Sequence, residues 1–433
     1  MTDWPDGVTL DEAGEPSIGA RWLHEPHLQR LLDALETHEL PGDDPDSFPS
    51  YVVGGAVRNT LLGVPVRDVD IATARRPEAT VRVAEALGYK PVPTGFEHGT
   101  VTVVTPAGPY EVTTFRADVE TNGRHATVRF TDDLRLDAER RDFTINALYA
   151  AAGGAVRDVV AGVPDLLART VRFIGDPDAR ITEDYLRVLR FFRFHAHYGR
   201  GRPETEGLKA CARHKGGLAR LSAERVWSET KRLLEAPAPG ITLLWMRQTG
   251  VLTAVLPESE KWGIDALPGL VAAERDLGWA PDPLLRLMAI VPPDAARMAT
   301  MAERLRLSND EAARLTGWAG ATAPTAQTNE AALARRLYRE GRAAIEDRLR
   351  LALASARARA VGDDAAIVEA GALSRLLDFV EGWERPIFPL KGRDLIAAGV
   401  APGPEMGERL AALEARWIDG GFQEDREALL GAL

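Results

Sequence analysis

The chain has one cysteine in 433 residues, Cys211. An internal disulfide and a cysteine-built zinc site are thereby excluded, and the usage fits a reducing, cytoplasmic setting. A run of roughly 18 apolar residues, the length a membrane-spanning helix needs, is also missing, so no membrane role is expected. Met1–Glu15 is acidic and polar instead of basic and then apolar, and no secretory signal is read there. Histidine stops at His214, which excludes a C-terminal phosphohydrolase built on His and Asp metal ligands. Net positive charge is lacking too, the formal total being −11. The charge is unevenly spread, however. Residues 1–50 hold 12 Asp/Glu against 2 Arg, whereas residues 186–235 hold 12 Lys/Arg against 5 Glu. A polyanion senses the local surface within a Debye length, so the basic stretch is a candidate nucleic-acid contact despite the acidic total. With 45% apolar residues, the length allows several domains with real cores. No internal repeat or low-complexity tract is found.

What is present is organised around Tyr51–Thr73, YVVGGAVRNTLLGVPVRDVDIAT. The β-branched entry Tyr51–Val53, the pair Gly54–Gly55, a helical run with Leu61 and Leu62, a turn at Gly63–Pro65 and the pattern Asp68-Val69-Asp70-Ile71 predict strand, turn, helix, turn, strand. Strand alternation puts Asp68 and Asp70 on one face, with Val69 and Ile71 toward the core. Two neighbouring carboxylates repel unless a cation lies between them, and Mg²⁺ prefers such oxygens while leaving positions for substrate phosphates. Gly54–Gly55 lets the backbone approach a triphosphate, with the following helix start pointing N–H groups at anions. Each motif alone is common in surface turns; their order around predicted strands favours nucleotide transfer.

Further along, Pro77–Leu87 reads as a helix, and Glu97–Val104 and Tyr110–Phe115 as paired strands about the Pro106–Pro109 turn. Glu111 lies opposite Tyr110 and Val112, where it offers a third carboxylate to the Asp pair. Ala117–Thr127 lacks apolar periodicity and reads as a mobile loop. In Arg140–Leu148, RRDFTINAL, Phe143, Ile145 and Leu148 are core candidates. Arg141 suits phosphates, and Asp142 and Asn146 suit a ribose hydroxyl. Thr182 reads as the cap of a helix beginning at Ile181–Asp184, along which Asp184, Arg187, Arg190 and Arg193 share a face and Leu186, Leu189 and Phe192 another. His195 and His197 at its end read as structural. Trp22–Leu35 reads as one amphipathic packing helix, followed by a loose acidic linker at Pro41–Pro49.

GGAVRN followed by DVD, YEVTTFR, the exact RRDFTINA, EDYLRVLR and LSAERVWSE resemble the motif series of the class II tRNA nucleotidyltransferase and bacterial poly(A) polymerase family, within the polymerase β-like superfamily. Asn59 stands where that family usually has Asp. The resemblance is dense over residues 50–260 and thinner over the last forty-five, where PLKGRDL and PGPEMG carry it.

It implies an α+β fold, with a mixed-sheet nucleotidyltransferase head followed by an elongated all-α neck, body and tail. The divisions it suggests are an acidic N-terminal extension (1–45), head (46–155), neck with a templating motif (156–235), body (236–360) and RNA-binding tail (361–433). It implies that Asp68 and Asp70 hold Mg²⁺ and act in catalysis with Glu111. Gly54, Gly55, Arg58, Arg141, Asp142, Asn146, Asp184, Arg187, Arg190 and Arg193 would bind nucleotide. Asp184 and Arg187 would read the exocyclic amine and ring edge shared by C and A. A flexible loop such as 117–127 would serve the final A addition. The implied activity is template-independent CCA addition to the tRNA 3′ end from CTP and ATP, with tRNA as partner. Poly(A) polymerase, CC-only or A-only addition, and a catalytically idle RNA-binding protein remain open alternatives, as does the oligomeric state.

Overall fold

The computed structural model describes residues 4–38, 48–122, 125–260 and 263–433. The acidic linker expected at Pro41–Pro49 falls largely outside them. The chain forms two compact units, residues 1–221 with 248–254, and residues 222–247 with 255–433. The first boundary lies inside the stretch read as the neck.

In the first unit, strands β1 (Val8–Leu10) and β2 (Pro16–Ile18) pair as a hairpin ahead of helix α1 (Pro26–Thr37). Then follow β3 (Ser50–Val53), α2 (Gly55–Leu61), β4 (Asp70–Thr73), α3 (Pro77–Ala86), β5 (Lys90–Gly95), β6 (Thr100–Thr105) and β7 (Gly108–Thr114). A second pair, β8 (Arg116–Asn122) and β9 (His125–Phe130), precedes α4 (Leu134–Glu139), β10 (Leu148–Ala150) and β11 (Val156–Asp158). Helices α5 (Gly162–Leu167), α6 (Pro177–Glu183), α7 (Leu186–Tyr198) and α8 (Thr205–His214) complete the unit's main elements. The main sheet has seven strands in the order β11-β10-β3-β4-β7-β6-β5, with β4 and β7 parallel and the other neighbours antiparallel. This is the mixed sheet expected of the head.

Several local expectations are corrected. α1 begins at Pro26, not Trp22, because Glu25 caps it by accepting from the Leu28 amide at 2.8 Å. Leu28, Leu31, Leu32 and Leu35 do fill the core, and Leu23 is buried from the preceding turn. β5 (KPVPTG), a strand with no counterpart in the sequence expectations, carries two prolines. It lies at the sheet edge, where a missing N–H is tolerated. β6 starts at Thr100, since Phe96–His98 form a short 3₁₀ turn. Within the stretch 117–127, read as a loop, residues 117–122 and 125–127 belong to the antiparallel β8–β9 pair. The Asn-Gly dipeptide at 122–123 is a hairpin signal that apolar periodicity does not register.

In the second unit every regular element among the described residues is a helix. Ser222 caps Ala223–Leu234, accepting from the Arg225 amide at 3.4 Å. The Arg- and Ala-rich stretch Ala331–Ala360 has the propensity of one continuous helix but is interrupted at Gly341, where φ is +89°, giving Glu330–Glu340 and Arg342–Arg359. Leu333, Ile345, Leu349 and Leu373 anchor one core. Leu395, Leu413 and Trp417 anchor another, with Met406 and Leu410 packed on it as their helical spacing predicts. Among the described residues no helix is long and apolar enough to cross a membrane.

Candidate active site

The site begins where β3 ends. Val52 and Val53 are buried, so the chain reaches Gly54 already committed to the sheet. Gly54 has φ +72°, and a Cβ there would stand 3.4 Å from the Asn146 carbonyl oxygen and 3.8 Å from Arg141 Nη1. A Cβ on Gly55 would stand 3.8 Å from Arg58 Nη2. Two guanidiniums therefore flank the glycine pair. α2 has only seven residues, so the positive field here comes mainly from these side chains rather than the helix ends.

β3 pairs antiparallel with β4, setting Val53 opposite Asp70, and β4 runs parallel to β7, setting Asp70 opposite Glu111. Asp70 is thus one residue from the glycine turn across one ladder and beside Glu111 across the other. Asp68 lies just before the strand, not within it as expected, and Val69, expected toward the core, is only half-buried and borders the same hollow as the carboxylates. Asp68, Asp70 and Glu111 are exposed, Ile71 and Val112 buried. The three carboxylates line a hollow of about 580 Å³ with Arg67, Tyr110 and Pro109. Protein crowds the Asp70 carboxyl, and burial, then Glu111, then Asp68 raise its pKa, with Arg141 pulling the other way. Like-charge crowding of this kind suits a divalent cation. Among the described residues no three His, Cys, Asp or Glu groups are gathered tightly enough to hold an ion alone. Two neighbouring carboxylates with open space beside them are a donor set that could hold a divalent cation taking its remaining ligands from elsewhere.

Arg141 is fixed from below. Asp137, fully buried, accepts from Arg141 Nη2 at 3.0 Å, from Arg140 Nε at 2.8 Å and from the Tyr149 hydroxyl at 2.8 Å. Burial works against the Arg141 charge, but Tyr149 and Asp137 more than restore it, so its pKa lies above the ordinary value. Asp137 and Tyr149 were not singled out in the sequence. Asp137 could have been, standing three and four residues before the arginine pair.

Asp142 and Arg190 form a tight pair at 2.5 Å. All four acceptor positions of Asp142 are used, by two Arg190 nitrogens and by the Phe143 and Asn146 N–H groups. Burial would raise its pKa, but Arg190 first and Asn146 next hold it below the ordinary range. Asn146 also accepts from Arg58 Nη1 and keeps spare donor and acceptor capacity. Phe143, Ile145 and Leu148 are core, as read.

The expected helix start at Ile181–Asp184 is instead a helix end. α6 is capped by Asp176, the Thr182 hydroxyl donates back to the Asp178 and Ala179 carbonyls, and the backbone turns extended at Asp184. Asp184 Oδ1 accepts from the Leu186 amide at 3.0 Å and so opens α7. Arg187 is ion-paired with Glu183 and donates to the Arg180 carbonyl at 2.6 Å. Arg180 in turn pairs with Glu183 and donates to the Arg140 and Arg141 carbonyls. Base-edge candidates and the arginine pair are thus bolted together through Arg180 and Glu183, neither of which was assigned a role. Leu186, Leu189 and Phe192 are buried on the predicted inner face. Phe194 lies within cation–π range of Arg58, Arg190 and Arg193, at 5.3, 5.4 and 4.3 Å. Burial pushes His195 down to about 4, keeping it neutral as a structural group.

The family described as "Poly A polymerase head domain" matches residues 50–172, and "Probable RNA and SrmB- binding site of polymerase A" matches residues 202–262. The chain is 31% identical over 411 residues to the mitochondrial CCA tRNA nucleotidyltransferase 1 of Mus musculus, covering 92% of this chain and 87% of that protein. It is 33% identical over 417 residues to the CCA-adding enzyme of Levilactobacillus brevis, covering 92% and 96% respectively. The structure of the Bacillus stearothermophilus CCA-adding enzyme in complex with CTP aligns with a TM-score of 0.70 and 25% identity, over 94% of this chain and 96% of that one. With the glycine turn, the paired aspartates and the arginine-flanked motifs on one sheet, and relatives of this length and identity, the chain belongs to the CCA tRNA nucleotidyltransferase family.

Proposed function

We propose that this protein adds CCA to the 3′ end of tRNA, taking CTP and then ATP without a nucleic-acid template. The observation that carries the reading is the register Val53–Asp70–Glu111, which sets the carboxylates beside a glycine turn flanked by Arg58 and Arg141. Asp68 and Asp70 would hold Mg²⁺, with Glu111 beside them. When bound, that ion would lower the pKa of the primer 3′-hydroxyl and neutralise charge on the leaving pyrophosphate. Arg58 and Arg141 receive the triphosphate over Gly54–Gly55, where no side chain intervenes. Asn146 has the free capacity to meet a ribose hydroxyl. Asp142, fully used, serves by aligning Asn146 and Arg190. Asp184 and Arg187 read the base edge, and Arg190 and Arg193 hold the reader against the head. The remaining basic residues of 186–235, beyond Arg187, Arg190 and Arg193, and the tail are assigned to tRNA. The single, buried Cys211 supports a reducing setting.

The test uses three tRNA transcripts ending before CCA, at C and at CC, each given Mg²⁺ with CTP, ATP or both, and product lengths read to one nucleotide. Products ending at CCA from all three support the proposal. Arrest at CC with both nucleotides present means a split activity, a long A ladder means poly(A) polymerase, and no incorporation means an RNA-binding protein. Asp70→Ala is expected to lower incorporation by about a thousandfold or more while tRNA binding persists, the scale of losing a metal's charge stabilisation.

A further inference from the structure

Arg58 is a buried cation of an uncommon kind. It is 6% exposed, and among the described residues it forms no ion pair. Its donors go to neutral oxygens instead. Nε and Nη2 reach Asn59 Oδ1 at 3.1 and 2.9 Å, Nη1 reaches Asn146, and Nη2 reaches the Tyr198 hydroxyl at 2.7 Å. The Tyr198 ring lies under the guanidinium, 3.9 Å from its centre, and rests in turn on Phe194 at 5.8 Å. A carboxylate partner would hold such a group by cancelling its charge. A ring face and neutral acceptors hold it while leaving the charge to act on something else. Nη2 also stands 3.8 Å from the Cβ position of Gly55, so the uncancelled charge lies against the glycine turn; both Nη2 hydrogens are used, and one Nη1 hydrogen remains to donate.

We propose that Tyr198 is a positioning residue for the incoming nucleotide's triphosphate, aiming the Arg58 guanidinium at Gly54–Gly55 without neutralising it. Tyr198 is the last residue of α7, and Arg187 near the first lies about 16 Å away along the axis at 1.5 Å per residue. Tyr198 therefore acts on what CTP and ATP share and is remote from the base reader.

The inference rests on the CCA-adding reading above. Full-length protein carrying Tyr198→Leu or Tyr198→Phe is compared with the wild type, varying CTP on tRNA ending at C and ATP on tRNA ending at CC. Losing ring and hydroxyl together is expected to raise KM for both nucleotides about tenfold, whereas Phe, keeping the ring, raises it about threefold. KM for tRNA and rejection of UTP and GTP stay as in the wild type. Without tRNA, inorganic tripolyphosphate raises the melting temperature of the wild type more than that of Tyr198→Leu. Unchanged nucleotide KM, loosened base choice, or equal tripolyphosphate stabilisation in both proteins overturns the proposal. Should Tyr198→Leu fail to fold, Tyr198→Phe decides alone, an unchanged KM counting against it. A wild type that incorporates nothing argues against the CCA reading, whereas a wild type that adds CCA beside unaffected variants argues only against Tyr198.

Discussion

Asp137 carries three partners with no solvent contact, and its ionisation is therefore tied to folding. Burial would raise its pKa, but Arg141 and Arg140 outweigh burial and hold it below the ordinary value. The sign follows directly. A depressed folded pKa gives stability that is present above the unfolded value, about 3.9, and lost as pH falls through the folded pKa. Asp137→Asn leaves Arg141 without its counter-ion and is expected to destabilise by about 3–5 kcal/mol at pH 7. Melting curves carried from pH 7 to below pH 3 should show a level gap between variant and wild type down to about pH 4 and a narrowing gap only below it, where the unfolded chain takes up its proton before the folded one does. A constant gap would mean that the loss is one of packing rather than charge. At this scale the sequence was readable where a residue belonged to an ordered motif: Gly54, Asp70 and Glu111 lie where strand and turn chemistry put them. It was silent on Tyr149 and Tyr198, because a tyrosine in an apolar stretch looks like core until its hydroxyl partner, distant in sequence, is known.

The break between α6 and α7 carries the proposed base reader, Asp184 and Arg187. Its residues were legible as a charged helix face, but the hinge was not. Thr182 is a good cap by type, and only the competing cap at Asp176 and the extended backbone at Asp184 reassign it to a helix end. Tyr185 follows the break and lies flat on Gly217, with Arg220 5.4 Å from its ring and His214 at 6.5 Å. A Cβ on Gly217 would fall inside that ring. Gly217→Ala must therefore push Tyr185, and with it the backbone of Asp184, out of place. The expected result is a roughly tenfold loss of discrimination against UTP and GTP, the worth of about one base-edge hydrogen bond, with little change in KM for CTP. Misincorporation assays check it, and intact discrimination would separate Tyr185 from base reading. β5 and the β8–β9 pair were missed for a related reason: edge prolines and a polar hairpin lack the apolar period by which strands are recognised.

At the scale of the molecule, the second unit was legible as all-helical, but not what locks its helices together. Arg286, on Pro283–Ile290, reaches Glu274, on Ala266–Leu277, with Nη2 at 2.6 Å, and its Nη1 donates to the Leu234 and Ala236 carbonyls. Both side chains are almost wholly buried, and they belong to no motif. Each unit has its own core, so the chain need not melt as one block. Arg286→Met strands Glu274 in the interior and should destabilise the second unit by about 3–5 kcal/mol. Arg286→Met with Glu274→Leu should recover part of that loss, the remainder being the Leu234 and Ala236 carbonyls left without their donor. Calorimetry of the single variant is then expected to show two transitions. CTP, whose proposed site is built entirely from the first unit, should raise the upper one and leave the lower where it is. If the single variant instead melts in one transition that CTP moves as a whole, the two units unfold cooperatively and the Arg286–Glu274 lock serves the nucleotide site as well as its own core.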